Sequence, residues 1–235
     1  MRTLIDEISV LLGVSSLFLG DDISEKYYAD WSGADACAPV VLVKPNTTEQ
    51  LSQVMALCHK HDQSVVVQGG LTGLAGGATP LDGELAVSLE RMQGVEEIGP
   101  TAMTLTALAG TPLQVLQDAA NEYNLLLPLD LGARGSCQIG GNVSTNAGGT
   151  EVIRYGMTRS LVLGLEAVLA DGTVIDATNK MIKNNSGYDL KHLFIGSEGT
   201  LGIVTRVVLQ LQPKAGSSHT ALCGLNSYES ATQLL

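Results

Sequence analysis

A glycine-rich stretch at residues 65–80, VVVQGGLTGLAGGATP, constrains the fold more than any other part of the sequence. It begins with consecutive valines, as a buried strand does, and then places five glycines between Gly69 and Gly77. Glycine has no Cβ, so its backbone can approach a ligand or another chain segment closely. We therefore expect a buried strand that ends in a loop built for close approach, called here the first glycine loop (residues 69–78).

Two further stretches share this composition. The second glycine stretch (residues 132–149) reads GARGSCQIGGNVSTNAGG, and the third glycine turn (residues 196–202) reads GSEGTLG. No Lys or Arg occurs from 61 to 90 or from 135 to 153, so an anion held there would bind backbone N–H groups and a helix amino terminus. One such loop alone is most often a set of turns. Three in one chain favour a ligand site.

The spacing of the glycines excludes the two common nucleotide-binding motifs. A dinucleotide fingerprint needs G-x-G-x-x-G entering a helix, whereas Gly70, Gly73 and Gly76 are three apart and Pro80 follows. A Walker A loop needs Gly-Lys-Ser/Thr, which the sequence lacks. A ligand bound here therefore requires a different architecture.

Composition narrows the class of protein. With 235 residues, 45% hydrophobic and 16% charged, the chain is globular, and its net charge of −11 disfavours a nucleic-acid partner. The four cysteines are scattered and contain no CxxC, which indicates free thiols in a reducing, cytoplasmic compartment. The amino terminus resembles no secretion signal or transit peptide, and no apolar run is long enough for a transmembrane segment. His59 and His61 do not share a helix face, so we expect no metal site.

Periodicity predicts a β-α-β unit near the amino terminus. Residues 3–12 form an expected helix that stops at Gly13, and a capping box of Thr47 and Gln50 opens a second helix. The apolar side of that second helix holds Leu51, Val54, Met55 and Cys58. It lies between strands predicted at 40–43 and 65–67, a spacing that suits a parallel crossover.

The rest of the chain alternates strands with short helices. Strands are predicted at 85–89, 95–98, 103–109 and 203–211, a hairpin at 161–169 and 173–176, and short helices at 139–146 and 188–194. Thr111 is expected to cap a helix with Pro112 at its first position, running to about 123. The helix at 139–146 would point its amino end at the contents of the first glycine loop. A last strand at 219–225 would precede a helix beginning at 227.

Three motifs together resemble a known family. They are QGGLTGLAGGATP, PLDLGARGSCQIGGNVSTNAGG and NSGYDLKHLFIGSEGTLGIVT. In this order they resemble the flavin-binding (PCMH-type) domain of the vanillyl-alcohol oxidase and p-cresol methylhydroxylase superfamily, and within it the D-2-hydroxyacid dehydrogenases, which oxidise D-2-hydroxyglutarate, D-lactate or glycolate. The resemblance implies an α+β fold of two subdomains with FAD between them. It implies an N-terminal helical segment at 1–34, the FAD-binding domain at 35–214 and the start of a truncated substrate domain at 215–235.

The resemblance also implies which residues hold FAD. The first glycine loop would wrap the pyrophosphate through Gly69, Gly70, Leu71, Thr72, Gly73, Leu74, Gly77 and Ala78. The isoalloxazine and ribityl side would meet Pro128, Asp130, Ser136, Ile139, Gly140, Asn142, Thr145 and Ala147, and Gly202 and Ile203 would add backbone contacts. Family members that tether flavin at this loop use a His where Leu71 stands, so the FAD is expected to be non-covalent.

The implied reaction oxidises a small-molecule D-2-hydroxy acid to a 2-oxo acid, with hydride passing to flavin N5 and electrons leaving to a separate acceptor. No catalytic residue is identified, and Glu198, Asn184, Asn185, Tyr188 and Asp189 remain open between substrate-side and turn or capping roles. Two alternatives stay open: a non-catalytic or incomplete FAD-binding module, and a flavin reductase of cell-wall precursors that uses NADPH. The sequence is compatible with an oligomer and does not identify the acid.

Overall fold

Two separate β-sheets organise the chain in the computed structural model, which describes residues 2–214, 216 and 220–234. The first sheet has the strand order β1-β2-β4-β3, and the second has the order β5-β6-β10-β8-β9. A short ribbon pairs β11 with β7. Each large sheet has helices packed on it, and one apolar core runs through both. Two α+β units are therefore joined side by side.

The bounds of these elements follow the predicted periodicity closely. The strands are β1 (Leu17–Phe18), β2 (Val41–Val43), β3 (Val65–Gln68), β4 (Leu85–Ser88), β5 (Val95–Gly99), β6 (Thr104–Leu108), β7 (Leu125–Leu126), β8 (Val162–Val168), β9 (Val174–Ala177), β10 (Ile203–Gln210) and β11 (Gln212–Pro213). The helices are α1 (Arg2–Leu12), α2 (Thr48–Lys60), α3 (Leu113–Glu122), α4 (Ile139–Ser144), α5 (Val152–Tyr155), α6 (Thr158–Leu161), α7 (Lys191–Phe194) and α8 (Tyr228–Leu234). Within the described ranges no helix is long and apolar enough to cross a membrane.

The first sheet contains the predicted parallel crossover. Strands β2, β4 and β3 run parallel, and β1 joins the edge of β2 in antiparallel pairing. The helix α2 connects β2 to β3, but β4 lies between those two strands. All residues of β2 and β4 are buried, as expected for central strands covered on both faces. The carboxyl end of β3 opens directly into the first glycine loop.

The predicted cap of α2 is confirmed in its first half. Thr47 Oγ1 accepts a hydrogen bond from the backbone N–H of Gln50 at 3.2 Å. The return bond is displaced by one residue, because Gln50 Oε1 accepts from the N–H of Asn46 at 2.8 Å. Gly13 ends α1 with a φ of 77°, as its position predicted.

Two expectations about local structure are wrong. Thr111 does not cap α3: its hydroxyl donates to the Leu108 carbonyl at 2.6 Å and accepts from the Gly94 N–H at 2.9 Å, and Pro112 holds the cap position. The hydroxyl is used to close the turn after β6. Residues 220–225 form no strand, and His219, which belonged to that prediction, lies outside the described residues.

The second sheet is antiparallel throughout, and its predicted hairpin is confirmed. Strands β8 and β9 pair across a turn in which Gly172 has a φ of 88°. All seven residues of β8 are buried because β10 lies on its other side and helices cover its faces. This sheet supplies the rigid wall behind the third glycine turn.

A buried carboxylate links the two units. Glu166 of β8 accepts hydrogen bonds through Oε1 from Thr48 of α2 at 2.7 Å and from Thr205 of β10 at 2.6 Å. Its Oε2 pairs with Arg206 at 2.9 Å, and Arg206 also forms two bonds to Glu96. A buried charge is tolerated only when its oxygens are satisfied in this way. The network therefore fixes the amino end of α2 against the second sheet.

A second ion pair lies beyond the carboxyl ends of β2 and β4. Glu90 pairs with Lys44 at 2.7 Å and accepts from the Tyr27 hydroxyl at 2.7 Å, while the Lys44 ammonium lies over the rings of Phe18 and Tyr27. Burial of Glu90 opposes ionisation, but the hydrogen bonds from Lys44 and Tyr27 outweigh it and lower the pKa of Glu90 from 4.5 to about 2. The pair ties the N-terminal segment to the first sheet.

We expect Glu90→Gln to destabilise the protein by about 1 to 3 kcal/mol at neutral pH, since Lys44 would lose its charged partner. The Glu90 contribution is present above pH 4.5 and is lost as the pH falls toward about 2, because the folded-state pKa lies below the unfolded value. Urea unfolding at pH 7, 4 and 2.5 measures this. A stability difference between variant and parent that stays constant across these pH values would contradict the assignment.

Candidate functional site

The three glycine-rich segments meet between the two sheets. A Cβ placed on Gly70 would lie 2.1 Å from the carbonyl oxygen of Ser136, so the first glycine loop is packed backbone to backbone on the second glycine stretch. A Cβ on Gly77 would lie 3.4 Å from Glu198 Oε2, and the Glu198 N–H donates to the Ser144 carbonyl at 2.8 Å. The segments that the sequence singled out therefore form one seam.

The first glycine loop presents a row of free backbone donors. Among the described residues, no N–H group from Gly69 to Gly77 donates a hydrogen bond to the protein. Leu71 and Gly76 have φ values of 57° and 84°, so the loop departs from an extended chain at both positions. Such a row, without a neighbouring Lys or Arg, is suited to an anion bound by neutral donors.

The amino end of α4, in the second glycine stretch, uses part of its N–H groups within the protein. The N–H groups of Ile139 and Gly140, in the first turn of α4, donate to the carbonyls of Thr111 and Ala109 at 3.0 and 2.8 Å. A Cβ on Gly140 would lie 2.7 Å from that of Ala109. The N–H groups of Ile139 and Gly140 are therefore occupied by the protein, whereas the N–H of Gly141 donates to no acceptor among the described residues. The prediction that the amino end of this helix faces the contents of the first glycine loop is thus restricted to Gly141.

The predicted site residues divide by their exposure. Those in the first glycine loop, Gly69, Gly70, Leu71, Thr72, Gly73, Leu74, Gly77 and Ala78, are all partly or fully exposed, as are Asp130, Ser136, Thr145 and Ala147. Pro128, Ile139, Gly140, Asn142, Gly202 and Ile203 are buried. Of these, Ile139 belongs to the apolar core, and Gly202 packs against the Val168 carbonyl. The residues of the first glycine loop thus present more surface than those of α4 and β10.

Gly202 and Ile203 also line a cleft of about 440 Å³ between the units. Its walls come from Val65 and Val67 of β3, from the end of α2 and from the third glycine turn. A Cβ on Gly199 would lie 3.7 Å from Val67, so the third glycine turn packs on β3 at this cleft. The lining residues include none from the first glycine loop or the second glycine stretch.

Three buried amide oxygens at the seam lack hydrogen-bond partners. They are Gln68 Oε1, Gln138 Oε1 and Asn142 Oδ1, on side chains that are 0%, 7% and 5% exposed. Buried acceptors without partners are rare in folded proteins and usually mark a missing ligand or water. Gln68 and Gln138 were missed by sequence reasoning, although a polar residue closing the strand VVVQ just before a glycine pair is a signal that could have found Gln68.

Acidic side chains flank the first glycine loop. Asp30, which sequence reasoning also missed, is buried, and its Oδ1 accepts from the Ser32 N–H at 2.9 Å and lies 3.3 Å from the Thr79 hydroxyl. Burial opposes ionisation of Asp30, but these bonds outweigh it and lower its pKa. A Cβ on Gly73 would lie 3.4 Å from Asp30 Oδ2. On the other side Glu198, with a φ of 53°, is exposed.

The other candidate polar residues do not gather at the seam. Residues 181–190 are all exposed, and they include Asn184, Asn185, Tyr188 and Asp189. Asn184 accepts from the Ser186 N–H, Asp189 pairs with Lys191, and α7 has no side-chain cap. Neither a joint catalytic cluster nor helix capping is seen for them in the described residues.

A family model that matches most of this region identifies the family of the chain. The family model described as "FAD binding domain" matches residues 39–178, more than half of the chain. This chain belongs to the FAD-binding domain family. The matched range holds the first glycine loop, the second glycine stretch and the three buried amide oxygens.

Two curated relatives are similar to this chain over nearly its whole length. The chain is 43% identical over 225 residues to the "Probable D-2-hydroxyglutarate dehydrogenase, mitochondrial" of Oryza sativa subsp. indica, covering 96% of this chain and 40% of the relative. It is 43% identical over 210 residues to the "D-2-hydroxyglutarate dehydrogenase" of Xanthomonas citri pv. viticola, covering 89% of this chain and 44% of the relative. The chain thus spans less than half the length of these relatives.

A solved structure confirms the fold class. The structure of p-cresol methylhydroxylase with substrate bound superposes with a TM-score of 0.77 at 21% identity, covering 91% of this chain and 43% of that one. The likeness shows a PCMH-type α+β fold of two subdomains, as the resemblance implied.

The residues at the seam fit FAD, the cofactor of this family. The free N–H groups of the first glycine loop provide neutral donors for a pyrophosphate. The unpartnered oxygens of Gln68, Gln138 and Asn142 provide acceptors for groups that donate. Gly73 and Gly77 leave the loop open, because a Cβ on either would meet only one carboxylate oxygen at 3.4 Å.

Two glycine substitutions separate packing from binding. We expect Gly70→Val to lower the free energy of unfolding by about 1 to 3 kcal/mol or more, since its Cβ would overlap the Ser136 carbonyl. Gly73→Val should leave stability nearly unchanged and weaken FAD binding, because its side chain lies beside the free N–H groups. Thermal unfolding and flavin-fluorescence titration measure the two effects. Full FAD affinity in Gly73→Val would show that the loop does not hold the pyrophosphate.

Proposed function

We propose that this chain is the flavin part of an FAD-dependent D-2-hydroxyacid dehydrogenase, which oxidises a D-2-hydroxy acid to a 2-oxo acid. The observation that carries the proposal is the 43% identity to D-2-hydroxyglutarate dehydrogenases over nearly the whole chain. The substrates to consider first are D-2-hydroxyglutarate, D-lactate and glycolate. A relative named "Putative D-lactate dehydrogenase" at 38% identity keeps D-lactate among them.

Residues 35–214 would form the FAD-binding domain, following the N-terminal helical segment at 1–34 and preceding the start of a substrate domain at 215–235. In this proposal the first glycine loop donates its N–H groups to the pyrophosphate, while Ser136, Asn142 and neighbouring residues of the second glycine stretch contact the flavin side. Bound FAD would supply the hydride acceptor. The chain's own residues would bind and orient it and exclude water from the seam.

The substrate's carboxylate and hydroxyl would be held mainly by residues outside these 235, because the relatives are more than twice as long as the matched part. Electrons would pass to a separate acceptor. We place the protein in the cytoplasm on the basis of its free thiols, although several relatives are named mitochondrial. The second candidate function is an FAD-binding module without activity, which has the same family match to an FAD-binding domain.

FAD is expected to bind without a covalent bond. The residue after Gly69 and Gly70 is Leu71, which offers no nucleophile. Acid precipitation of the FAD-loaded protein should leave all yellow colour in the supernatant. Flavin that stays with the protein on a denaturing gel would contradict this.

Activity tests the dehydrogenase proposal. We expect the 235-residue chain loaded with FAD to reduce a dye negligibly with D-2-hydroxyglutarate, D-lactate or glycolate, because residues 61–90 and 135–153 contain no Lys or Arg to fix the carboxylate of the acid in a reactive position. The same chain fused to the remaining part of the Xanthomonas relative should oxidise at least one of them and reject L-2-hydroxyglutarate and L-lactate.

A fusion that binds FAD and oxidises none of these acids would favour the non-catalytic module. Equal turnover by the 235-residue chain alone would instead place the catalytic groups within it and make Glu198 the first residue to substitute.

A further inference from the structure

We propose that the side-chain oxygens of Gln68 and Gln138 accept hydrogen bonds from hydroxyl groups of the ribityl chain of FAD. This inference rests on FAD binding, which is one part of the proposed function, and does not depend on which acid is oxidised. It assigns a role to two side chains that the sequence motifs did not single out.

The orientation of the Gln68 amide is fixed by the protein. Its Nε2 donates to the carbonyls of Tyr27 at 2.8 Å and Ala78 at 2.9 Å, so both of its N–H groups are used. Turning the amide over would place its oxygen against two carbonyl oxygens. The Gln68 oxygen must therefore point away from them, and it has no partner although the residue is fully buried.

Gln138 presents a second acceptor at the same place. A Cβ on Gly69, the residue after Gln68, would lie 3.4 Å from Gln138 Oε1. Gln138 precedes α4, and Asn142, four residues later, carries the third unpartnered oxygen. Residues four apart in a helical segment share a face, so these acceptors lie where the first glycine loop meets the second glycine stretch.

The amide oxygens can bind only a part of FAD that donates hydrogen bonds. Ionised phosphate groups have no hydrogen to donate, and the flavin ring offers only one N–H for this purpose. The ribityl chain joins the ring to the pyrophosphate and carries several neighbouring hydroxyl groups. A loop that binds the pyrophosphate beside a segment that binds the flavin side leaves the ribityl chain at their junction, where the acceptors lie.

A thermodynamic cycle of protein variants and ligand analogues tests this. The dissociation constants of FAD and of an FAD analogue whose ribityl hydroxyls are replaced by hydrogen are measured by flavin fluorescence for the 235-residue chain and for Gln68→Met and Gln138→Met. Gln63→Met is the matched control, because Gln63 lies just before β3 and its amide also donates to two carbonyls, of Ser64 and Gly83.

We expect Gln68→Met and Gln138→Met each to bind FAD about tenfold more weakly than the parent chain, and to bind the deoxy-ribityl analogue nearly as well as the parent does. Gln63→Met should match the parent with both ligands. Gln138→Met keeps the test decisive if Gln68→Met is unstable. Within the described residues the Gln138 side chain donates no hydrogen bond, so this variant loses none.

An equal loss of affinity for FAD and for the deoxy-ribityl analogue would overturn the inference and leave Gln68 with a purely structural role. A loss that vanishes instead with an analogue lacking the 2′ and 3′ hydroxyls of the adenosine ribose would also overturn it, by assigning the acceptors to that sugar. If the parent chain does not bind FAD, both this inference and the assignment of FAD as its cofactor are wrong. Failure of the dehydrogenase proposal alone would appear only in the turnover assay and leave these affinities unchanged.

Discussion

The contact between the backbone of Gly70 and the carbonyl of Ser136 is the constraint on which the rest of the site depends. It brings the loop that follows the first sheet onto the stretch that precedes α4, with no room for a side chain between them. The N–H groups of residues 69–77 donate to no acceptor among the described residues, so this contact leaves them unpaired. The buried Glu166, bonded to Thr48 and Thr205 from different units, holds the two sheets in the arrangement that this contact requires. Packing between the two sheets thus sets the position of the first glycine loop.

The glycines of the motifs serve two different physical purposes. Gly70, Gly140 and Gly202 are needed because a Cβ would overlap neighbouring protein atoms, whereas Gly73 and Gly77 face open space beside a carboxylate. A sequence shows only that a Cβ is absent, and glycine looks the same in the sequence whichever purpose it serves. A motif can therefore be assigned to a cofactor from the sequence, while the packing of each glycine is known only from the structure.

Much of the fold could be predicted from local patterns. The buried face of α2, the hairpin at Gly172 and the parallel crossover depend on periodicity and turn chemistry that a short window contains. The insertion of β4 between β2 and β3 could not be predicted, because pairing order is decided by long-range packing. The true role of Thr111 depends on Gly94, a residue brought close only by the fold. The unpartnered oxygens of Gln68 and Gln138 could not be predicted for the same reason. Whether a buried oxygen has a hydrogen-bond partner depends on residues that only the fold brings close.

The charge of the chain explains why so many neutral groups are gathered at the seam. The protein carries a net charge of −11, and Asp30 and Glu198 flank the first glycine loop, so the long-range field opposes an anionic ligand. No Lys or Arg lies in the loop to offset that field. Short-range hydrogen bonds from fixed backbone N–H groups must then provide the attraction to the pyrophosphate, and they act only on a ligand already in place. A site of this kind would select its ligand by the match of hydrogen-bond donors and acceptors along its length and not by charge.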